Sequence, residues 1–525
     1  MMEAMLSPRA SAPSLLTLKP LYTNALRKYA QRTAIDCDAN TLSYRQLLDA
    51  SCRFAHGLSA VGLAANVRVA LLMSNCLEYA VADQAIIQSG GVKVPLNDML
   101  GEKEIRYIVA DSNARVLVVG PAFFEIVARN RDAWPELETV IGIAAAADCP
   151  EGVEPWDEFS AGQPETPPDV AVAPDDLAVI AYTGGTTGQP KGVLLTQQSM
   201  VLDVLSHVVE MELLDDERLL LCSPLAHSAG FLMLAGLLKG ATHLVERGFA
   251  PETVVRRIEN DGVTLTFMVP TMIYRLIDWI GDTRYDLSSL RSILYGAAPI
   301  TLPRLREGLA LFGPVFMQIY GQTEAPNFIT RLRRQDHRPD DDTAHRLASC
   351  GQPVAMAEVR IVDADNRTQP VGEVGELAAR TPYTMAGYHG LPDKSAETLI
   401  DGWLHTGDIA YQDADGYVYL LDRKKDMIIT GGMNVYTKEV EDAIQSCPGV
   451  GQVAVVGLED ADWGEAVTAF IVADVGAHPT QSDVLDHCRQ ELSKYKRPKA
   501  VYFVDTLPVT AYGKLDKKAL RTQAR

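Results

Sequence analysis

The sequence predicts an α/β protein. It has a large N-terminal domain of layered sheets and helices over residues 1–423, which carries a small β-barrel-like subdomain at about 350–422. A small α+β C-terminal domain follows over 424–525. Three observations predict this. Apolar strand-length runs alternate with helical stretches through the first 340 residues, the signature of layered, largely parallel sheet. The pattern then changes to short alternating strands broken by turns such as Asp363–Asn366 and Asp413–Gly416. Finally, the charge changes. From Lys424 onward 13 basic residues face 14 acidic ones, so almost all of the net −20 lies upstream.

In chain order, Ser43 and Gln46 form a capping box before an amphipathic run to about residue 60. Val67–Met73 reads as a buried strand, with Ser74 or Asn75 placed to cap the next helix. A strand near Gly91–Leu96, a helix to Ala110 and a strand Val116–Val119 follow. The Ala-, Pro- and Gly-rich stretch 144–174 reads as a surface excursion, and alternation resumes at Leu177. After Arg423 the pattern predicts helix 437–446, strands 452–457 and 467–473, helix 482–493 and strand 500–504.

Composition excludes several classes. At 47% apolar and 22% charged, the chain is globular and long enough for several cores. The negative charge argues against a nucleic-acid partner or an anionic membrane surface. The eight cysteines include no C-x-x-C pair, so neither a disulfide framework nor a zinc site is expected. The uncharged stretch 219–238 contains Pro224, His227 and Gly230 and reads as core, so no integral membrane segment is expected. Without a secretory leader, cytoplasm is the expected location, and the oligomeric state is left open, a homodimer among the options.

The most informative segment runs Tyr182-Thr183-Gly184-Gly185-Thr186-Thr187-Gly188-Gln189-Pro190-Lys191-Gly192. An apolar strand leads into glycines that let backbone N–H groups approach a polyanion, threonine hydroxyls that add donors, and a lysine that adds charge. This is no Walker A loop: Pro190 precedes the lysine, and Val193-Leu194-Leu195 resumes a strand instead of opening a helix.

With this motif the chain resembles the adenylate-forming enzymes: acyl- and aryl-CoA synthetases, adenylation domains and firefly-type luciferases. The resemblance extends over essentially the whole chain, with further motifs in order. It implies ATP, Mg²⁺ and coenzyme A, with Thr183, Gly184, Gly185, Thr186, Thr187, Gly188 and Lys191 around the phosphates. Gly184 stands where the family often has serine, and the backbone donors remain. In Tyr320-Gly321-Gln322-Thr323-Glu324 the resemblance places Tyr320 on the adenine, Thr323 at the α-phosphate and Glu324 on Mg²⁺, with Thr187 a candidate second ligand. Gly296, Ala297, Ala298 and Pro299 are the other wall of the nucleotide slot, Asp408 accepts from the ribose hydroxyls, and Arg423 contacts the ribose–phosphate end. Lys425 matches the hinge about which the C-terminal domain rotates between half-reactions. Gly431 and Gly432 match the loop lining the pantetheine tunnel, or are a plain strand-to-turn junction. Lys514 matches the mobile catalytic lysine that steadies the adenylation centre. Lys496 and Arg497 form either a solvated face or a CoA-phosphate contact.

The resemblance places the acid pocket around 227–234, 268–272, 295–299 and 322–328, giving His227, Phe231, Met268, Ala297, Ala298 and Pro326 as lining. In amino-acid-activating relatives an aspartate stands at the His227 position, so an α-amino acid is disfavoured. An apolar lining with small residues suits a medium-chain aliphatic or aryl monocarboxylic acid. His227 either orients the acid or gates the tunnel, or is a core histidine bonded to backbone. The expected function is therefore an ATP-dependent acyl-CoA synthetase. The alternatives are a ligase that loads a carrier protein and a non-catalytic nucleotide-sensing or scaffold paralogue; intact Lys191, Glu324, Asp408 and Lys514 weigh against the latter. No residue speaks for luciferase-type oxygenation.

Overall fold

The computed structural model describes residues 15–38, 40–62, 66–183, 189–474, 476–509 and 515–523. Two large sheets organise the first 390 residues. One has eight strands, with Leu177–Thr183, Val92–Leu96, Arg68–Leu72, Val116–Val119, Thr139–Gly142 and Glu154–Pro155 parallel in that spatial order. Its other edge is antiparallel: Lys191–Thr196 pairs with Leu177–Thr183, and Gly387–Tyr388 pairs with Lys191–Thr196. The nine-stranded sheet holds a parallel block that includes Arg218–Leu221, Leu265–Met268, Ser292–Tyr295 and Phe316–Gln322, closed at one end by antiparallel Ala325–Leu332 and Gln352–Pro353.

These sheets are layered because their parallel strands are apolar on both faces. Val116–Val119 is buried throughout. Val116 and Val118 face a central core shared with helices Tyr44–Ala60, Leu77–Ser89, Gln197–Glu210 and Ser228–Lys239, while Leu117 and Val119 face an outer one. A third core covers the far side of the nine-stranded sheet with helices Pro251–Asp261, Pro270–Ile280 and Leu302–Phe312. Among the described residues no helix is long and apolar enough to cross a membrane.

Local expectations are met where local chemistry decides. The Ser43–Gln46 capping box is formed, and Val116–Val119 has the expected bounds. Asn75 departs from expectation. The following helix starts after Cys76 with no side-chain cap. Asn75 instead donates through Nδ2 to the carbonyls of Ser223 and Glu246, both at 2.9 Å, and accepts from Leu225 N–H at 2.8 Å. Buried backbone groups at the end of the other sheet need partners, and that demand outcompetes capping. The stretch 144–174 is more than an excursion: helix Trp156–Ser160 lays Trp156 and Phe159 against Phe54, at centroid distances of 4.4 and 4.9 Å.

Within 350–422 lies a five-stranded antiparallel sheet built on Glu358–Val362, Gly375–Arg380, Trp403–Gln412 and Val418–Arg423, with short Leu399–Ile400. Gln352–Pro353 and Gly387–Tyr388, from the same stretch, pair instead with the two large sheets. From Ile428 onward a separate core forms between a second five-stranded sheet and helices Thr437–Gln445 and Gln481–Glu491.

Candidate active site

Two hairpins and one strand pair build the site. Thr183 and Lys191 face each other across the first hairpin, so Lys191 stands at the mouth of the Gly/Thr segment. Gly184, Gly185, Thr186, Thr187, Gly188 and, further on, Lys514 lie outside the described residues. Gly192 follows because a Cβ there would meet Ile180, Tyr182 and His389 at 2.9–3.2 Å.

The second hairpin joins Phe316–Gln322 to Ala325–Leu332. Gln322 pairs with Ala325, which leaves Thr323 and Glu324 as the two-residue tip. A tip position presents side chains past the sheet edge while the strands fix their origin. Gly321 allows the closure, since a Cβ there would lie 2.6–2.8 Å from the Asn327 backbone. Glu324 Oε1 accepts from the Tyr388 hydroxyl at 2.6 Å, and its carbonyl accepts from Met385 N–H at 2.8 Å. The Lys191 ammonium sits 3.9 Å from the Tyr388 ring centroid. Burial lowers the Lys191 pKa below the ordinary lysine value, and the nearby Glu324 charge opposes that shift.

At the base of the same hairpin, Tyr320 donates to Asp408 Oδ2 at 2.5 Å, and Gln322 Nε2 donates to the same oxygen at 2.9 Å. Asp408 and Arg423 are direct cross-strand partners, and Arg423 Nε meets Asp408 Oδ1 at 2.7 Å. Burial works against the charged guanidinium, yet Asp408 and further anionic neighbours, Glu324 among them, hold the Arg423 pKa above its usual value. Burial, with Asp408 beside it, pushes the Tyr320 phenol well up, so it remains a donor. One hairpin therefore links a buried carboxylate and its half-exposed guanidinium partner at one end to Glu324, with Lys191 nearby, at the other.

The facing wall is shaped by Gly296, where a Cβ would lie 2.4 Å from the Ile319 carbonyl. Ala297 adopts φ +66°, a left-handed conformation that costs a non-glycine residue about 1 kcal/mol or more. Ala297 and Pro299 are exposed and Ala298 is half-buried.

Among the acid-pocket residues, His227 occupies the N-cap position of helix Ser228–Lys239 without a side-chain cap bond, its Nδ1 3.2 Å from Ser228 Oγ. Phe231, one turn on, stacks on the His207 imidazole at 6.1 Å and 17°. His207 also meets the Phe328 ring edge-on at 4.8 Å and the Asn327 side-chain amide at 2.9 Å, which ties segments 227–234 and 322–328 together. Pro326 is buried beside them. Met268 differs from expectation: it is fully buried in the outer core with Leu220 and Tyr295 and offers no surface to a ligand. The reason is strand register, because Met268 closes its strand opposite Tyr295, with its side chain in the helix-covered core.

Gly431 and Gly432 form the two-residue loop of a tight hairpin, with φ +57° and +77°, between paired Thr430 and Met433. A Cβ on Gly431 would lie 2.8 Å from Trp463. Lys425 is exposed between strands Val418–Arg423 and Ile428–Thr430. Its neighbours are engaged: Lys424 with Glu376 at 3.0 Å, and Asp426 with Arg521 at 3.0 Å. Lys496 lies 2.5 Å from Glu439.

Sequence reasoning missed Tyr388, His207 and Asn327. For His207 there was a faint signal, an imidazole in the largely apolar stretch 200–209, which also holds Asp203 and Ser206. Tyr388 carried none, because its partners lie 64 and 197 positions away.

Layered sheets, paired strands that flank the Gly/Thr segment, an acidic hairpin tip and a distinct C-terminal unit define an adenylate-forming enzyme. The AMP-binding enzyme family model matches residues 22–389, and the model of the AMP-binding enzyme C-terminal domain matches 439–514. The chain belongs to the AMP-binding enzyme family. It is 36% identical to the medium/long-chain-fatty-acid–CoA ligase FadD8 of Mycobacterium tuberculosis, over 96% of this chain and 89% of that protein. It is 35% identical to the fatty acid–[acyl-carrier-protein] ligase ScoC of Streptomyces coeruleorubidus, over 98% and 97%. Among solved structures, the anthranilate CoA ligase AuaEII in complex with anthranoyl-AMP superposes with a TM-score of 0.88 at 26% identity, covering 98% of each chain.

Proposed function

We propose that the protein is an ATP-dependent acyl-CoA synthetase acting on a medium-chain aliphatic or aryl monocarboxylic acid. The observation that carries this reading is the hairpin 316–332, which joins the Asp408–Arg423 pair to Glu324 and Lys191 over one short element. A nucleoside triphosphate laid along it meets a carboxylate for its ribose hydroxyls at one end and cationic donors for its phosphates at the other.

In the first half-reaction an acid oxygen attacks the α-phosphorus, the bond to pyrophosphate breaks, and acyl-AMP forms. Lys191 neutralises the leaving phosphates, Thr323 orients the α-phosphate, and Lys514 steadies the charge that develops at phosphorus. Glu324 fits a Mg²⁺ partner: it is a hard oxygen ligand at a hairpin tip, oriented through one oxygen by the Tyr388 hydroxyl. When bound, the ion would supply charge neutralisation on the triphosphate. In the second half-reaction the thiol sulfur attacks the acyl carbon, AMP leaves, and the thiol proton passes to solvent.

The acid would lie against Phe231, Ala298 and Pro326, with His227 at the entrance and the His207–Phe328 pair behind. Rotation about Lys425 would exchange Lys514 for the Gly431–Gly432 hairpin, and ion pairs at the flanking residues suit such an exchange. A cytoplasmic location belongs to this reading, on the scattered spacing of the eight cysteines. The test is pyrophosphate release over a panel of acids, followed by mass spectrometry with CoA or a phosphopantetheinylated carrier protein as acceptor. Acyl-CoA is the expected product. Likeness to ScoC makes exclusive carrier loading the second reading, and no pyrophosphate with any acid would overturn both.

A further inference from the structure

Lys191 and Glu324 carry opposite charges in one site, yet among the described residues they form no ion pair with each other. Tyr388 occupies the space between them. Its hydroxyl donates to Glu324 Oε1 at 2.6 Å, while its ring face takes the Lys191 ammonium at 3.9 Å from the centroid. The tyrosine is itself fixed on two sides: Gly387–Tyr388 pairs with Val193 and Leu194 of the lysine's own strand, and Tyr388 N–H donates to Ser395 Oγ at 2.8 Å. A ring face holds a cation without neutralising it, and a phenol held by a carboxylate orients that group without consuming both oxygens.

We propose that Tyr388 is the positioning residue of the phosphate end, keeping Lys191 and Glu324 from collapsing into a direct ion pair so that both stay available to metal-bound triphosphate. This rests on the nucleotide-binding reading above. Were the two to pair, each arriving triphosphate would first have to break a partly buried ion pair. Lys191 is also faced by Lys394 and Glu397, on helix Pro392–Thr398, and these two oppose each other in sign.

The test compares Tyr388→Phe and Tyr388→Leu by calorimetric ATP binding without acid, with Mg²⁺ or with EDTA, across pH 7–10. Wild-type binding of ATP is the control that separates failure of this inference from failure of the nucleotide-site reading. Tyr388→Phe keeps the ring and loses the donor; it is expected to weaken binding roughly ten-fold with Mg²⁺ and to leave binding in EDTA nearly unchanged. Tyr388→Leu frees both partners to pair. Its binding is expected to weaken under both conditions, and its alkaline limb to move to higher pH as Glu324 stabilises the ammonium. Loss of melting temperature in both variants, with the Mg²⁺ dependence and the alkaline limb unmoved, would mean that Tyr388 only packs and would overturn the proposal. An alkaline limb moving to lower pH in Tyr388→Leu would overturn it as well.

Discussion

Tyr320 and Asp408, 88 positions apart, are joined by a 2.5 Å hydrogen bond at the centre of the candidate nucleotide site. The same carboxylate takes Arg423 on its other oxygen, so its orientation is settled before any ribose arrives. Tyr320→Phe removes one of several bonds to Asp408 and leaves Gln322 and Arg423 in place. KM for ATP should rise by about three- to ten-fold with kcat little changed. Asp408→Asn also unpairs Arg423 and should cost about 100-fold or more in kcat/KM for ATP. Steady-state pyrophosphate release checks both, and equal effects of the two variants would contradict the hierarchy.

On the proposed reading Lys191 acts on phosphate as an ammonium, present only below its pKa. Burial lowers that pKa, so kcat/KM for ATP, which reports the free enzyme, should fall as pH rises at a lower pH than an ordinary lysine would set. Lys191→Arg carries a group that stays charged and should lose this alkaline limb between pH 7 and 10. A pH–rate profile that keeps the limb in the arginine variant would assign it elsewhere.

Acid should destabilise the fold well before carboxylates titrate. His207, His243 and His337 are each pushed down to about 4 by burial, against roughly 6.5 in the unfolded chain. Between these values the unfolded state binds protons that the folded state refuses, so stability is lost as pH falls below 6.5. Buried Asp203 and Asp422 are shifted up and act with opposite sign, leaving a net uptake of at least about one proton. Urea unfolding at pH 7 and pH 5 should differ by on the order of 2 kcal/mol, lower at pH 5. An unchanged or higher midpoint at pH 5 would refute this.

Lys514→Ala should abolish adenylation from free acid while sparing thioester formation from supplied acyl-AMP. Single-turnover assays of each half-reaction separate these steps. Equal loss of both would remove Lys514 from its assigned role.

The sequence by itself determined what is local. The Ser43–Gln46 box, the Val116–Val119 strand and the strand resuming through Val193-Leu194-Leu195 follow from capping chemistry, apolar runs and Pro190, all within a few residues. Motif order was equally legible, and with it the candidate lysine, glutamate and aspartate. Tertiary structure alone decided what depends on distant partners. Asn75 left its expected cap to satisfy carbonyls 148 and 171 positions away. Met268 went to the core because pairing register, not composition, chooses a strand's faces. Tyr388 came between Lys191 and Glu324 because three segments far apart in the chain meet at one sheet edge, and a contact made only by folding leaves no periodicity to read.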